Sequence, residues 1–197
     1  MKTNKKIALF GGSFNPIHSQ HIKIIEKVIQ SKVVDEFWVI PCKKHAFNKD
    51  FAPAKNRVDM INLALKNIKQ AKVCTVELDS SKTSYTIDTI KILQKKYPNN
   101  EFFWVIGSDI LHEIHKWQGY KKLLKIISFI ILKRDTYPII SINSMNVESI
   151  IKIKTNNFSS TEVRENVKKG QSLKKLLPNS IIDYIQKNNL YKKEDKP

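Results

Sequence analysis

The sequence predicts an α/β protein whose core is a parallel β-sheet with helices on both faces. Short apolar runs alternate along the chain with longer segments in which apolar residues recur every three to four positions. Several of the runs are apolar throughout, which is typical of strands buried on both faces. Strands and helices that alternate in this order form a doubly wound sheet with right-handed crossovers.

Five runs are predicted to be strands, and they are KIALF, EFWVIP, AKVCTVEL, EFFWVIG and SFIILK, at residues 6–10, 36–41, 71–78, 101–107 and 128–133. Three amphipathic helices are predicted between them. Their apolar faces carry Ile22, Ile25 and Ile29, then Val58, Ile61, Leu65 and Ile68, then Ile90, Leu93 and Tyr97. Pro98 is predicted to stop the third helix, because proline cannot continue a helical hydrogen-bond pattern.

The last third of the chain is predicted to be a more helical segment. Ser159 and Glu162 have the spacing of a capping box, and Lys168, Lys169 and Gly170 are typical of a helix end. A final amphipathic helix follows in residues 178–191. We therefore expect one domain over residues 1–191 and a flexible tail over 192–197.

Composition places the protein among globular proteins of the cytoplasm. The chain has 197 residues, of which 41% are hydrophobic and 27% charged. No apolar run approaches the roughly 20 residues that cross a bilayer, so no membrane partner is expected. The apolar run before Gly11 is too short for a signal peptide. Cys42 and Cys74 are isolated thiols, as expected in a reducing compartment.

The formal charge of +17 is compatible with two kinds of anionic partner. A basic nucleic-acid-binding module is one alternative, and it would show tight, salt-sensitive binding. Lysine is spread along the whole chain instead of clustering with arginines and aromatic residues. This distribution is evidence against a nucleic-acid partner. A smaller polyanion such as a nucleoside triphosphate is equally compatible with the charge.

The stretch IALFGGSFNPIHSQH, residues 7–21, predicts an anion site. Gly11 and Gly12 follow the first strand and let bare backbone approach a ligand. The next helix would direct its N-terminal amides and positive dipole end to the same point. His18 and His21 share one face of its first turn, where they would donate hydrogen bonds to phosphate oxygens.

The stretch SSTEVR, residues 159–164, has a similar design. Its three hydroxyl residues lie at a predicted helix N-terminus with free amides. Arg164 lies one turn further on the face of Thr161, where it would clamp a phosphate through two parallel hydrogen bonds. A solvated arginine behind an ordinary capping box is the structural alternative.

Both stretches resemble the signatures of the nucleotidylyltransferase superfamily, GGxFxPxHxGH and SSTxxR. The first is matched by Gly11, Gly12, Phe14, Pro16, His18 and His21, with Gln20 in place of the usual glycine. The second is matched by residues 159–164 without departure. Residues 84–111, 116–124 and 172–191 resemble segments of the nicotinate/nicotinamide mononucleotide adenylyltransferase family, so the resemblance covers nearly the whole chain.

This resemblance implies a Rossmann-like fold and an enzyme of NAD biosynthesis that joins nicotinate mononucleotide to ATP. It implies catalytic roles for His18, His21 and Arg164. ATP would be held by Gly11, Gly12, Ser13, Phe14, Gly107, Asp109, Ser159, Ser160 and Thr161. The mononucleotide would be held by Lys44, His45, Tyr85, Thr86, Trp117 and Arg134. Mg²⁺ would bind through ATP phosphates, with no metal held by protein side chains.

Other functions stay open at this point. Nicotinamide mononucleotide is an alternative substrate, and a phosphopantetheine adenylyltransferase is an alternative member of the superfamily. His18 and His21, with His112 and His115, have the HxxH spacing of zinc ligands. The sequence also leaves open whether the protein forms a homo-oligomer.

Overall fold

A computed structural model describes residues 4–43, 51–79, 85–154 and 158–192. Within them, six strands form one parallel sheet in the order β3-β2-β1-β4-β5-β6, which confirms the predicted fold class. The strands are β1 (Lys6–Gly12), β2 (Glu36–Pro41), β3 (Ala71–Val73), β4 (Glu101–Gly107), β5 (Ser128–Lys133) and β6 (Val147–Lys152).

The same residues form six α-helices and two short 3₁₀ helices. The α-helices are α1 (Ser19–Gln30), α2 (Ala54–Leu65), α3 (Thr86–Lys96), α4 (Tyr120–Ile126), α5 (Ser160–Lys168) and α6 (Asn179–Lys187). The 3₁₀ helices are Ser108–His112 and Ile114–Lys116, directly after β4. As predicted, α3 ends before Pro98, and Ser159 caps α5 by accepting a hydrogen bond from the Glu162 amide.

Two apolar layers hold the helices against the sheet. One layer joins side chains of α1, α2, α5 and α6 to one face of the strands, and the other joins α3, α4 and the 3₁₀ segment to the opposite face. Alternation along β1 feeds both layers, because Ala8 belongs to the first while Ile7 and Leu9 belong to the second. The central strands are therefore apolar on both faces, as their sequences indicate.

One predicted strand is shorter than expected. Residues 71–78 were expected to form one strand, but β3 ends at Val73. The chain then turns, with the amides of Leu78 and Asp79 donating to the carbonyl of Thr75. This turn buries Glu77, which accepts a hydrogen bond from the Thr89 hydroxyl on α3 at 2.7 Å.

The edge strand β6 was not predicted, since the last third of the chain was expected to be more helical. Its residues are mostly exposed, and Ile150 has half of its surface in solvent. An exposed edge strand lacks the continuous apolar run that marks a buried one. None of the helices in the described residues is long and apolar enough to span a membrane.

Candidate active site

The predicted site lies where the strand order reverses, between β1 and β4. Helices cover opposite faces of the sheet on the two sides of this point, which leaves a crevice at the carboxyl ends of the strands. Gly11 and Gly12 end β1 and Gly107 ends β4. The glycine-rich turn and the end of the fourth predicted strand therefore meet at this crevice.

Two of these glycines are required by their protein neighbours. A Cβ on Gly11 would lie 2.7 Å from the Trp104 ring. A Cβ on Gly107 would overlap the Asp109 carboxylate. The need for glycine at these positions therefore follows from close internal packing, in addition to the predicted approach of a ligand.

His18 and His21 form a stacked pair at the start of α1. Their ring centroids are 3.7 Å apart with an interplanar angle of 26°. The backbone amide of His18 donates to Nδ1 of His21 at 3.3 Å. Since Nδ1 of His21 accepts this bond, the neutral ring carries its proton on Nε2, which is left as a donor.

Burial keeps both imidazoles neutral near pH 7. Burial lowers the pKa of His18 to about 4, and the side chain is 5% exposed. Burial, with the charges of His18 and Arg134, lowers the pKa of His21 well below 6.5. The Phe14 ring packs edge-on against His21 with centroids 5.1 Å apart, so it supports the histidine from the core. These histidines suit hydrogen-bond donation by neutral rings.

The structure brings the second motif onto the first. Nη1 of Arg164 donates to the Asn15 carbonyl at 2.9 Å, and Oγ of Ser160 donates to the Pro16 carbonyl at 2.9 Å. The N-terminus of α5 is therefore attached to the turn that precedes His18. Two segments that are 149 residues apart, measured from Asn15 to Arg164, form one site.

The hydroxyls of this motif are partly engaged within the protein. Ser159 Oγ is the helix cap, and Thr161 Oγ1 accepts from Nη2 of Arg164 at 3.2 Å. Among the described residues, the Arg164 guanidinium uses two of its five N–H groups in these bonds, which leaves one N–H on each of its three nitrogens. Capping and anion binding are compatible in this motif.

Asp109 and Arg134 form an ion pair beside the histidines. Nη1 of Arg134 lies 3.1 Å from Oδ2 of Asp109, and the positive charge contributes to the lowered pKa of His21. Buried Oδ1 of Asp109 and Nε of Arg134 have no hydrogen-bond partner within the described chain. Arg134, which was predicted to bind the mononucleotide, is therefore paired with Asp109, which was predicted to bind ATP.

A second group of predicted residues gathers at the N-terminus of α3. Tyr85 precedes the helix and is 46% exposed, and Thr86 is its first residue. Trp117 follows the second 3₁₀ helix and is half-buried against the layer that contains α3. A Cβ on Gly119 would lie 3.1 Å from Ile87, so the Trp117–Gly119 segment is close to the start of α3. Lys44 and His45 lie outside the described residues.

Gln20, at the position of the family's usual glycine, is buried. The side chain is 6% exposed, and Nε2 donates to the Lys154 carbonyl at 3.3 Å. Lys154 belongs to the connection between β6 and α5. The side chain at this position therefore links α1 to the segment that leads into the second motif.

Sequence reasoning missed Arg57 and Asn15. Arg57 is fully buried in α2 and donates to the Ser13 carbonyl at 2.7 Å. Oδ1 of Asn15 accepts from the Ala52 amide at 3.0 Å and from the Tyr191 hydroxyl at 2.9 Å. Helical spacing was the signal that could have identified Arg57 as buried, because Arg57 lies four residues before Ile61 and so on the apolar face of the predicted helix.

The four histidines with zinc-like spacing do not form one site. In the part of the chain that the structure describes, which includes all four, no group of three or more His, Cys, Asp or Glu side chains is placed to hold a metal ion. His18 instead stacks on His21, and His21 also packs against Phe14.

A switch-point crevice with two joined anion-binding motifs is typical of nucleotide-binding α/β proteins. Residues 9–166 match the family described as cytidylyltransferase-like, and the chain belongs to that family. A nicotinate-nucleotide adenylyltransferase from Bacillus subtilis is 32% identical over 195 residues, covering 95% of this chain and 98% of that protein. A Methylacidiphilum infernorum protein named "Probable nicotinate-nucleotide adenylyltransferase" is 36% identical over 191 residues, covering 96% and 93%.

The likeness extends to the three-dimensional structure. A solved structure of Plasmodium falciparum nicotinic acid mononucleotide adenylyltransferase, complexed with NaAD, superposes with a TM-score of 0.81. It is 28% identical to this chain, and the match covers 95% of this chain and 98% of that one. Within the larger family, this chain is thus a member of the nicotinate-nucleotide adenylyltransferases.

Proposed function

We propose that the protein joins nicotinate mononucleotide to ATP, giving nicotinic acid adenine dinucleotide and pyrophosphate. One observation carries this proposal: Arg164 and Ser160 bind the backbone of the turn that leads into the stacked histidines. Hydrogen-bond donors from both ends of the chain therefore surround the place where a triphosphate would lie. The relatives named for this reaction support the same substrate pair.

The chemistry is an in-line displacement at phosphorus. An oxygen of the mononucleotide 5′-phosphate forms a bond to the α-phosphorus of ATP, while the bond from that phosphorus to the bridging oxygen breaks. Pyrophosphate leaves with the electron pair. A phosphate monoester is already a nucleophile at neutral pH, so the step needs no general base. Catalysis consists of positioning and charge stabilisation, and good positioning can supply about 7–11 kcal/mol.

The residues around the crevice divide this work. His18 and His21 donate hydrogen bonds from neutral rings to phosphate oxygens that gain charge, and their lowered pKa values favour this form. Arg164 offers its remaining N–H groups to the triphosphate. The other ATP contacts come from the residues predicted above in the first motif, the hydroxyls of the second, and Gly107 with Asp109.

Mg²⁺ enters with ATP as part of the substrate. It supplies charge neutralisation on the phosphates, and it commonly takes most of its ligands from substrate phosphates and water. The described residues do not include a cluster of three or more acidic, histidine or cysteine side chains placed as a cage.

The mononucleotide occupies the neighbouring part of the crevice in this proposal. Trp117 stacks on the pyridine ring, and Tyr85 and Thr86 contact its carboxylate. Support comes from the proximity of the Trp117–Gly119 segment to the start of α3. Lys44, His45 and Arg134 contact the phosphate.

A pyrophosphate-release assay with purified protein tests the function. Nicotinate mononucleotide, nicotinamide mononucleotide and phosphopantetheine are each supplied with Mg-ATP or Mg-CTP. We expect the largest kcat/KM for nicotinate mononucleotide with ATP. A larger value for the amide would assign the second mononucleotide as substrate, and turnover of phosphopantetheine alone would overturn the proposal.

A further inference from the structure

Arg57 is a buried cation in α2 held by backbone groups. Its side chain is 0% exposed, and it donates from Nη1 to the Ser13 carbonyl at 2.7 Å and from Nε to the Ala52 carbonyl at 3.1 Å. Buried Nη2 has no hydrogen-bond partner in the described residues. Burying a charge is costly, and the two carbonyls, with the Phe51 ring centroid 4.2 Å from the guanidinium carbon, offset part of that cost.

The backbone next to Ser13 is strained. Phe14 has a φ of 45°, in the left-handed region that is unfavourable for a residue other than glycine. Strained backbone persists only where the surrounding structure determines it, and such residues cluster at functional sites. Phe14 also supports His21 through its ring. The conformation of this residue therefore affects the proposed catalytic pair.

Two buried arginines hold the peptide groups on either side of Phe14. Arg57, from α2, binds the Ser13 carbonyl that precedes it, and Arg164, from α5, binds the Asn15 carbonyl that follows it. The N–H of a planar trans peptide points opposite to its carbonyl. With the Ser13 carbonyl directed at Arg57, the Phe14 N–H points away from α2.

We propose that Arg57 is a positioning residue for the anion-binding turn. Together with Arg164 it holds Ser13, Phe14 and Asn15 in the conformation that receives the triphosphate. Arg57 does not contact the substrate, because its side chain is buried. The inference rests on the proposed function in naming ATP as the ligand of this turn.

The test compares Arg57→Met with wild type and with Leu65→Ala, a matched control on the buried face of the same helix. Methionine keeps much of the side-chain volume but cannot hold the Ser13 carbonyl. We expect kcat/KM for Mg-ATP to fall about 100-fold, since small displacements of positioning groups cost this much. The KM of the mononucleotide should stay unchanged. Leu65→Ala should lower Tm and leave both kinetic constants unchanged at a temperature where it is folded.

Arg57→Lys is the second variant, because it keeps the charge but loses the planar fork that reaches both carbonyls. We expect it to recover part of the lost kcat/KM. Calorimetric titration with Mg-ATP alone should show weakened binding to Arg57→Met. Wild-type kinetics with ATP in either folded arginine variant, or loss confined to Tm as in Leu65→Ala, would overturn the proposal.

Hydrogen exchange in the wild-type protein tests the same inference without a substitution. Adding Mg-ATP should slow amide exchange in residues 51–57, because α2 and the turn are held together by Arg57. Unchanged exchange at ligand saturation would contradict the positioning role. The proposed function and the role of Arg57 can fail separately. If wild type makes no dinucleotide but Arg57→Met still binds ATP more weakly than wild type, nicotinate mononucleotide is not the substrate that accepts the adenylyl group, and the role of Arg57 stands.

Discussion

At the scale of single residues, the histidine pair shows how burial selects a chemical role. Charged imidazoles would repel each other at a centroid separation of 3.7 Å, and burial adds a further penalty on charge. Neutral rings can stack, and the His18 amide determines which nitrogen of His21 carries the proton. The pair is therefore arranged for hydrogen-bond donation and not for proton transfer from a charged ring.

His18→Ala should lower kcat by about 100- to 1000-fold, the usual loss when one hydrogen-bond donor to a developing negative charge is removed. The fold should persist, because buried Nδ1 of His18 has no hydrogen-bond partner among the described residues. Steady-state kinetics and circular dichroism measure the two effects. His115→Ala, at an exposed histidine, is the control. Activity within a few-fold of wild type would exclude the assigned role.

Both imidazoles should resist protonation in the folded, ligand-free protein. The folded pKa of His18 is about 4, against an ordinary value of 6.5. The unfolded chain therefore binds more protons between these values, and this group lowers folding stability as pH falls from 6.5 towards 4. Imidazole ¹⁵N NMR should show neutral His18 and His21 at pH 6, with the His21 proton on Nε2. Protonation of either near pH 6.5 would disprove this arrangement.

At the scale of elements, the site depends on the attachment of α5 to the β1–α1 turn. Ser160 and Arg164 make the two bonds, and Ser159 caps the helix so that its remaining amides face outward. Gln20 adds a bond from α1 to the segment before α5. The second motif, which we propose binds an anion, thus also attaches α5 to the first motif.

Arg164→Ala should raise the KM for ATP and lower kcat, because it removes a charged donor and releases the Asn15 carbonyl. A combined loss of about 10- to 100-fold in kcat/KM is expected from the value of a charge-assisted hydrogen bond. Arg164→Lys should restore only part of it. Lys169→Ala, at an exposed lysine that follows α5, controls for loss of positive charge. Unchanged ATP kinetics in Arg164→Ala would reduce the residue to a structural role.

At the scale of the whole molecule, one acidic residue connects three neighbouring segments at the end of the sheet where the strands begin. Glu36 on β2 pairs with Lys5, which precedes β1, and with Lys72 on β3. Burial opposes ionisation of Glu36, but hydrogen bonds from Lys5, Trp38 and Lys72 outweigh it and lower its pKa to about 2. Because the chain has a formal charge of +17, a carboxylate that pairs with two lysines reduces the repulsion between positive charges at this edge.

The Glu36 cluster should make folding stability sensitive to acid. The folded pKa of about 2 lies below the ordinary value of 4.5, so the contribution is present above pH 4.5 and is lost as pH falls towards 2. Urea unfolding at pH 6 and pH 3 measures it. Glu36→Gln should be less stable than wild type at pH 6, and the difference should shrink at pH 3. A difference that does not depend on pH would contradict the ion-pair explanation.

The hydrophobic pattern of the sequence was enough to predict the bounds of strands that are buried on both faces. The strands at 36–41, 101–107 and 128–133 have the predicted bounds, because each is an apolar run covered on both faces. β6 escaped prediction because it is exposed at the edge, and β3 was overestimated because Glu77 turns inward to Thr89. Each error has a tertiary cause that the local sequence pattern does not encode, namely the position of β6 at the sheet edge and the contact between Glu77 and Thr89.

By itself, the sequence determined the class of fold and located the two motifs that are predicted to bind anions, since strand burial and helix N-termini are local properties. Only the tertiary structure decided that Gly11 must accommodate Trp104, that His21 is supported by Phe14, and that Arg57 holds the turn. These contacts join residues from different elements, and the distances between them exist only once the sheet has formed. The motifs predict the class of ligand, a phosphate anion, and packing determines the geometry of the residues that would hold it.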